Sequence, residues 1–195
     1  MASYIADTID FARMVSIGGI QGFICRATIG LREDESYAQW IPQIRAAGSI
    51  HGAYHFLYPG VPPVAQAQKF VQVRTPGWLG DWLDVENSTL GNVTWPMVRD
   101  FVAEYERLTG MNIGIYTNVG TWEGTVKWYV QEFAELHPLW VANWGVDEPA
   151  IPRPWTDWTG WQTGAKSVPG YTHVQYQNSM MVDVNRWRVG IKKAG

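Results

Sequence analysis

From residue 22 to about residue 145, short apolar runs bounded by glycine alternate with stretches whose apolar residues recur at helical spacing. That alternation constrains the fold more than any other feature. Strands separated by helices pair side by side through right-handed crossovers, which makes a parallel sheet clothed in helices. The pattern predicts strands at 22–28, 50–57, 112–116 and 139–143, with an acid-bearing strand around Trp82 to Asn87. Between them it predicts a helix carrying Tyr37, Trp40, Ile41, Ile44 and Ala47, stopped by Gly48, and a second that begins at Pro62 or Pro63. Further helices are expected at 95–108, capped by Thr94 and closed by Gly110, and at 122–133. Residues 2–6 read as a short first strand, 10–16 as a helical turn or two, and 30–36 as a charged loop. Beyond 145 the helical period fades into a loop with Pro149, Pro152 and Pro154, and two short strands follow at 172–177 and 181–184. An eight-unit barrel takes roughly 250 residues. With 195, this chain is expected to be α/β, a compact or incomplete (β/α) barrel, folded as a single domain over 1–195.

The net charge of -3 and the absence of a basic stripe leave no footprint for nucleic acid. One cysteine, Cys25, excludes an intrachain disulfide framework and any multi-cysteine zinc site, and its apolar setting reads as a buried thiol. No segment is apolar over a membrane-spanning length, and the first residues lack a basic n-region and an apolar h-region. The expectation is a soluble chain without its own Sec leader. The 12 tryptophans serve a core and a sugar-stacking site about equally well.

Trp82-Leu83-Asp84-Val85-Glu86-Asn87 is the stretch that carries chemistry. On a strand Asp84 and Glu86 share one face and Leu83 and Val85 the other. The pair sits at the carboxyl end of its strand, where α/β barrels keep their active sites. Its apolar and aromatic flanks raise a carboxyl toward general-acid duty. His51 and His55 lie four residues apart, roughly 13 Å on a strand, so they do not form a metal pair. His55 reads as a hydrogen-bonding residue inside the barrel.

Six ordered pieces together resemble the lysozyme-type glycoside hydrolases of family 25, the N-acetylmuramidases that cut bacterial peptidoglycan. They are Arg26-Ala27-Thr28, Gly52-Ala53-Tyr54-His55-Phe56, Leu83-Asp84-Val85-Glu86, Gly114-Ile115-Tyr116-Thr117, Leu139-Trp140-Val141-Ala142, and the closing pair Gln175-Tyr176 with Val182-Asp183-Val184-Asn185-Arg186. The resemblance implies that Glu86 is the general acid. It implies that Asp84 and Asp183 stabilise the cationic transition state or orient an N-acetyl group. Arg26, Tyr54, Tyr116, Trp140 and Gln175 would bind substrate. No metal or organic cofactor is implied, and the partner would be bacterial peptidoglycan, met by a monomer without membrane insertion. In this picture the acid is protonated among rings while a better-solvated aspartate stays ionised. The family pattern is departed from twice. Met1 stands where a first-strand Asp is usual, with Ala6 in place of a Gln, and Ile29 stands where an acid often follows the Thr. A catalytically silent glycan-binding or phage structural module on the same fold is the alternative.

Overall fold

The computed structural model describes residues 8–89, 91–172 and 181–188. The expected first strand, the Met1 and Ala6 positions and Gln175 lie outside those residues.

Two strands, β1 (Thr8–Ile9) and β9 (Tyr171–Thr172), pair antiparallel beside the main sheet. Helix α1 (Phe11–Ser16) follows β1, and the Asp10 side chain caps it by accepting the Arg13 N–H at 2.9 Å. Strand β2 (Gly22–Ile29) turns back into a two-residue β3 (Arg32–Glu33), inside the stretch expected to be loop. Helix α2 (Tyr37–Ala46), β4 (Ile50–Phe56), α3 (Pro63–Val73), β5 (Asp81–Asp84), α4 (Trp95–Thr109) and β6 (Gly114–Thr117) then alternate as the pattern predicts. Thr94 is the N-cap residue of α4 but makes no side-chain cap bond, and Gly110 ends the helix in the left-handed region.

The helix expected at 122–133 is broken. It is replaced by α5 (Val119–Thr121), a π-helical turn at Trp122–Val126 and α6 (Gln131–Leu136). The break falls at Lys127, whose φ of 54° no helix continues. Strand β7 (Leu139–Ala142) follows, and then β8 (Gly160–Ser167), which the proline-rich sequence concealed. The last described strand, β10 (Met181–Trp187), is longer than expected because it pairs along the whole of β8.

The eight-stranded sheet has the order β10-β8-β7-β6-β5-β4-β2-β3. It is parallel from β2 through β8 and antiparallel at both edges. It curls strongly. Four strand steps at roughly 4.8 Å each would hold β5 and β10 about 19 Å apart in a flat sheet. The rings of Trp82 on β5 and Trp187 on β10 nevertheless lie 5.3 Å apart. Curling therefore creates an inner face, where Trp82, Tyr116 and Trp140 form their own buried cluster with Trp187 against it. The outer face meets the helices in a larger core that includes Leu83, Val85, Ile115, Val141, Phe70 and Phe101. Two glycines make the inner packing feasible. A Cβ on Gly114 would lie 2.4 Å from the Trp82 ring, and one on Gly160 2.7 Å from Trp187. No helix among the described residues is long and apolar enough to cross a membrane.

Candidate active site

The alternation in β5 sorts its residues as the sequence predicts. Leu83 and Val85 are fully buried on the outer side, and Trp82 belongs to the inner cluster. Strand register then sets the inner row. Asp84 pairs with Tyr116 of β6, and Tyr116 pairs with Trp140 of β7. The Tyr116 and Trp140 rings meet edge-on at 4.6 Å. On the other flank Arg26 of β2 pairs with Tyr54 of β4. From the far edge β10 brings in Asp183, and Asn185 accepts the Trp140 indole N–H at 2.8 Å. Arg26, Tyr54, Tyr116 and Trp140 thus line one groove with Asp84, Glu86 and Asp183.

The three carboxyls differ in their surroundings. Asp84 is buried, and burial pushes its carboxyl well above the ordinary range; Glu86 adds to the rise and Arg26 opposes it. Its Oδ1 has no hydrogen-bond partner among the described residues. Glu86 is half-buried and raised by desolvation, against which the Asn118 amide works by donating to Oε1 at 3.2 Å. Nearby Asp183 raises Glu86 further. Asp183 is the exposed member, raised by partial desolvation. The better-solvated aspartate is therefore Asp183 and not Asp84, because Asp84 lies within the sheet ladder and Asp183 on an edge strand. Burial also raises the phenols of Tyr54 and Tyr116, which remain hydrogen-bond donors at neutral pH.

Three groove residues, Gln162, Asn185 and Asp34, and one contact of Glu86, Asn118, have no role assigned from the sequence. Gln162 of β8 accepts from the Tyr116 hydroxyl at 3.0 Å and from the Trp144 indole at 2.7 Å. Its signal was the Trp161-Gln162 step between Gly160 and Gly164, and the missed strand hid it. Asn118 follows Tyr116 by two residues, hence the same face, and that spacing could have found it. Asn185 belongs to the Val182-Asp183-Val184-Asn185-Arg186 stretch, where the family resemblance gives it no role. Asp34 forms an ion pair with Arg26 at 2.9 Å and brings a carboxylate to the end of β2, where Ile29 offers none.

Other sequence candidates are structural. Burial pushes the Cys25 thiol up to about 12, which removes it as a nucleophile. His55 is fully buried but on the outer side of the sheet, not inside the barrel. There it bonds Thr28 Oγ1 at 2.6 Å and Gln66 Oε1 at 3.0 Å and stacks on Phe101. It points outward because Tyr54, its neighbour on β4, takes the groove side. Burial brings its imidazole down to about 4. His51 accepts from Arg45 at 3.1 Å. Among the described residues no three His, Cys, Asp or Glu side chains converge as a metal site. Of the other tryptophans, Trp155 and Trp161 are core, while the Trp144 ring is exposed.

The chain that builds this groove is similar to known proteins along most of its length. Residues 2–171 match the profile of Glycosyl hydrolases family 25. The chain belongs to that family. It is 31% identical over 187 residues to Lysozyme M1 of Streptomyces globisporus and spans 62% of that protein's length. Among solved structures, it is similar to the bacterial lysozyme from Streptomyces coelicolor, with a TM-score of 0.79 and 27% identity, over 92% of this chain and 86% of that one. The family GH25 lysozyme from Aspergillus fumigatus is similar at a TM-score of 0.73 and 26% identity, over 84% of this chain and 86% of that one. A family 25 fold thus carries the groove.

Proposed function

We propose that this family 25 chain is a peptidoglycan hydrolase, an N-acetylmuramidase that cleaves the β-1,4 bond between N-acetylmuramic acid and N-acetylglucosamine. The curled sheet serves as an incomplete (β/α) barrel, and the chain acts as one catalytic unit. The observation that carries the reading is the meeting of Asp84, Glu86 and Asp183 in one aromatic-lined groove. Glu86 is the general acid. Its carboxyl is raised by desolvation yet remains partly accessible, which suits it to hand a proton to a glycosidic oxygen. As the C1–O bond breaks, that proton goes to the leaving sugar. The positive charge at C1 is met by Asp183 or by the substrate's own N-acetyl oxygen, oriented by the buried Asp84. Water then attacks C1 and gives its proton to the Glu86 carboxylate, which restores the acid. Tyr54, Tyr116, Trp140 and Arg26 hold the sugar rings and their polar substituents. Gln175, outside the described residues, would be a further binding residue.

Reducing-end release from purified peptidoglycan tests this directly. The wild type should release muramic-acid reducing ends, identified by mass, and Glu86→Gln should lose ~10²–10⁴-fold in rate while still binding walls. A fully active Glu86→Gln would remove Glu86 from the acid's role. Wall binding without release by the wild type would instead favour a silent glycan-binding or structural module, the reading that the missing acids at Met1 and Ile29 motivate.

A further inference from the structure

Glu86 stands beyond the last residue of β5, where the sheet ladder itself does not hold its carboxyl. The backbone on either side is nonetheless clamped. The Val85 N–H donates to the Tyr116 carbonyl at 2.8 Å, and Thr117 Oγ1 donates to the Val85 carbonyl at 2.8 Å. The Asn87 N–H donates to Thr121 Oγ1 at 3.4 Å, and Asn87 Oδ1 accepts from the Val93 N–H at 3.0 Å and from Thr125 Oγ1 at 3.1 Å. These bonds fasten the Glu86 peptide between β6 and α5, directly against Asn118.

Asn118 makes two bonds that define each other. Its Oδ1 accepts the Thr121 N–H at 2.9 Å as the N-cap of α5, and its Nδ2 donates to Glu86 Oε1 at 3.2 Å. Exchanging oxygen and nitrogen would set N–H against N–H and a carbonyl oxygen against the carboxyl, so the cap fixes which end of the amide faces the acid. We infer that Asn118 is the positioning residue of the general acid: its capped amide fixes the Glu86 rotamer and steadies the carboxylate that forms when the proton leaves. The inference rests on the reading of Glu86 given above. A donated bond favours the charged form of a carboxyl, which lets Glu86 surrender its proton and later accept one from water. Among the described residues, the other groups coupled to Glu86 are Asp84 at the end of β5, Asp183 on β10 and Tyr116 on β6, and all of them raise or are raised by negative charge there. Asn118 is the one group whose contact lowers Glu86 among the causes of its shift.

The cap and the contact can be separated. Asn118→Ser keeps a capping oxygen and removes the amide donor. Asn118→Asp keeps the shape and the cap but sets a like charge beside Glu86. The experiment measures kcat for reducing-end release across pH for both variants and the wild type, and titrates the Glu86 side-chain carboxyl by ¹³C NMR. The limb on which activity falls with rising pH should move up in Asn118→Ser and further in Asn118→Asp, with the NMR midpoint moving alongside. The plateau kcat of Asn118→Ser should fall about tenfold from looser positioning. A lower kcat with neither limb nor midpoint moved would reduce Asn118 to a helix cap and overturn the inference. A midpoint that moves while the limb stays would keep the contact and sink Glu86 as the acid.

Discussion

Asp84 is the residue where the proposed function and stability pull apart. Its carboxyl is buried and one oxygen lacks a partner among the described residues, so the folded state holds its proton more tightly than the unfolded chain does. Stability from such a group is present below the unfolded value and is lost as pH rises through the folded one. Asp84→Asn should therefore raise Tm at pH 7, by roughly 2–4 °C for each kcal/mol of desolvation relieved, and the gain should shrink toward pH 3. Thermal melts at the two pH values check this, and an equal Tm difference at both would show that the carboxyl is not the source. The same substitution should lower the rate of hydrolysis, as expected where a site is held at a cost to the fold. Asp183 is exposed on β10, so Asp183→Asn should leave Tm within about 1 °C and act on kcat alone. Its position on an edge strand gives no comparable desolvation to relieve.

At the scale of elements, glycines decide how closely strands and rings approach. Gly114→Ala would press a methyl into the Trp82 ring at 2.4 Å, and that ring is already packed against Trp140 and Trp187. The expected loss is about 1–3 kcal/mol in urea unfolding. Gly124 is the contrast. It lies in the π-helical turn, where an added methyl would meet nothing within 4 Å. Gly124→Ala should cost nothing and add about 0.4–1 kcal/mol by restricting the unfolded chain. Equal effects at both positions would mean that ring packing does not limit the inner face. The π-helical turn lies next to the proposed site. It follows α5, whose cap residue Asn118 reaches Glu86, and such turns recur near active sites. The periodicity that predicted one helix at 122–133 was real as a pattern of apolar residues. Lys127 in the left-handed region interrupts it, and Trp122 is held by its indole bond to the Trp128 carbonyl at 2.8 Å.

At the scale of the whole molecule, the curl of the sheet brings Asp183 to Asp84 and Glu86. Trp187 is part of that closure, touching Trp82 at 5.3 Å and Trp140 at 5.6 Å. Trp187→Ala should cost about 3 kcal/mol and lower hydrolysis even where the protein remains folded; unchanged kcat at full folding would show that β10 is held by its ladder alone. Strand–helix alternation, the shared face of Asp84 and Glu86, and the likeness to family 25 are legible in the residues alone. Those properties are local: period, spacing and turn residues lie within a few positions of one another. Only the assembled fold sets which aspartate is buried, that His55 faces the helices, and that Gln162 and Asn185 enter the groove. These depend on partners 27 to 46 residues away in sequence, such as His55 with Thr28 and Gln162 with Tyr116. Strand register makes such pairs, and a slip of one residue would turn every side chain to the other face.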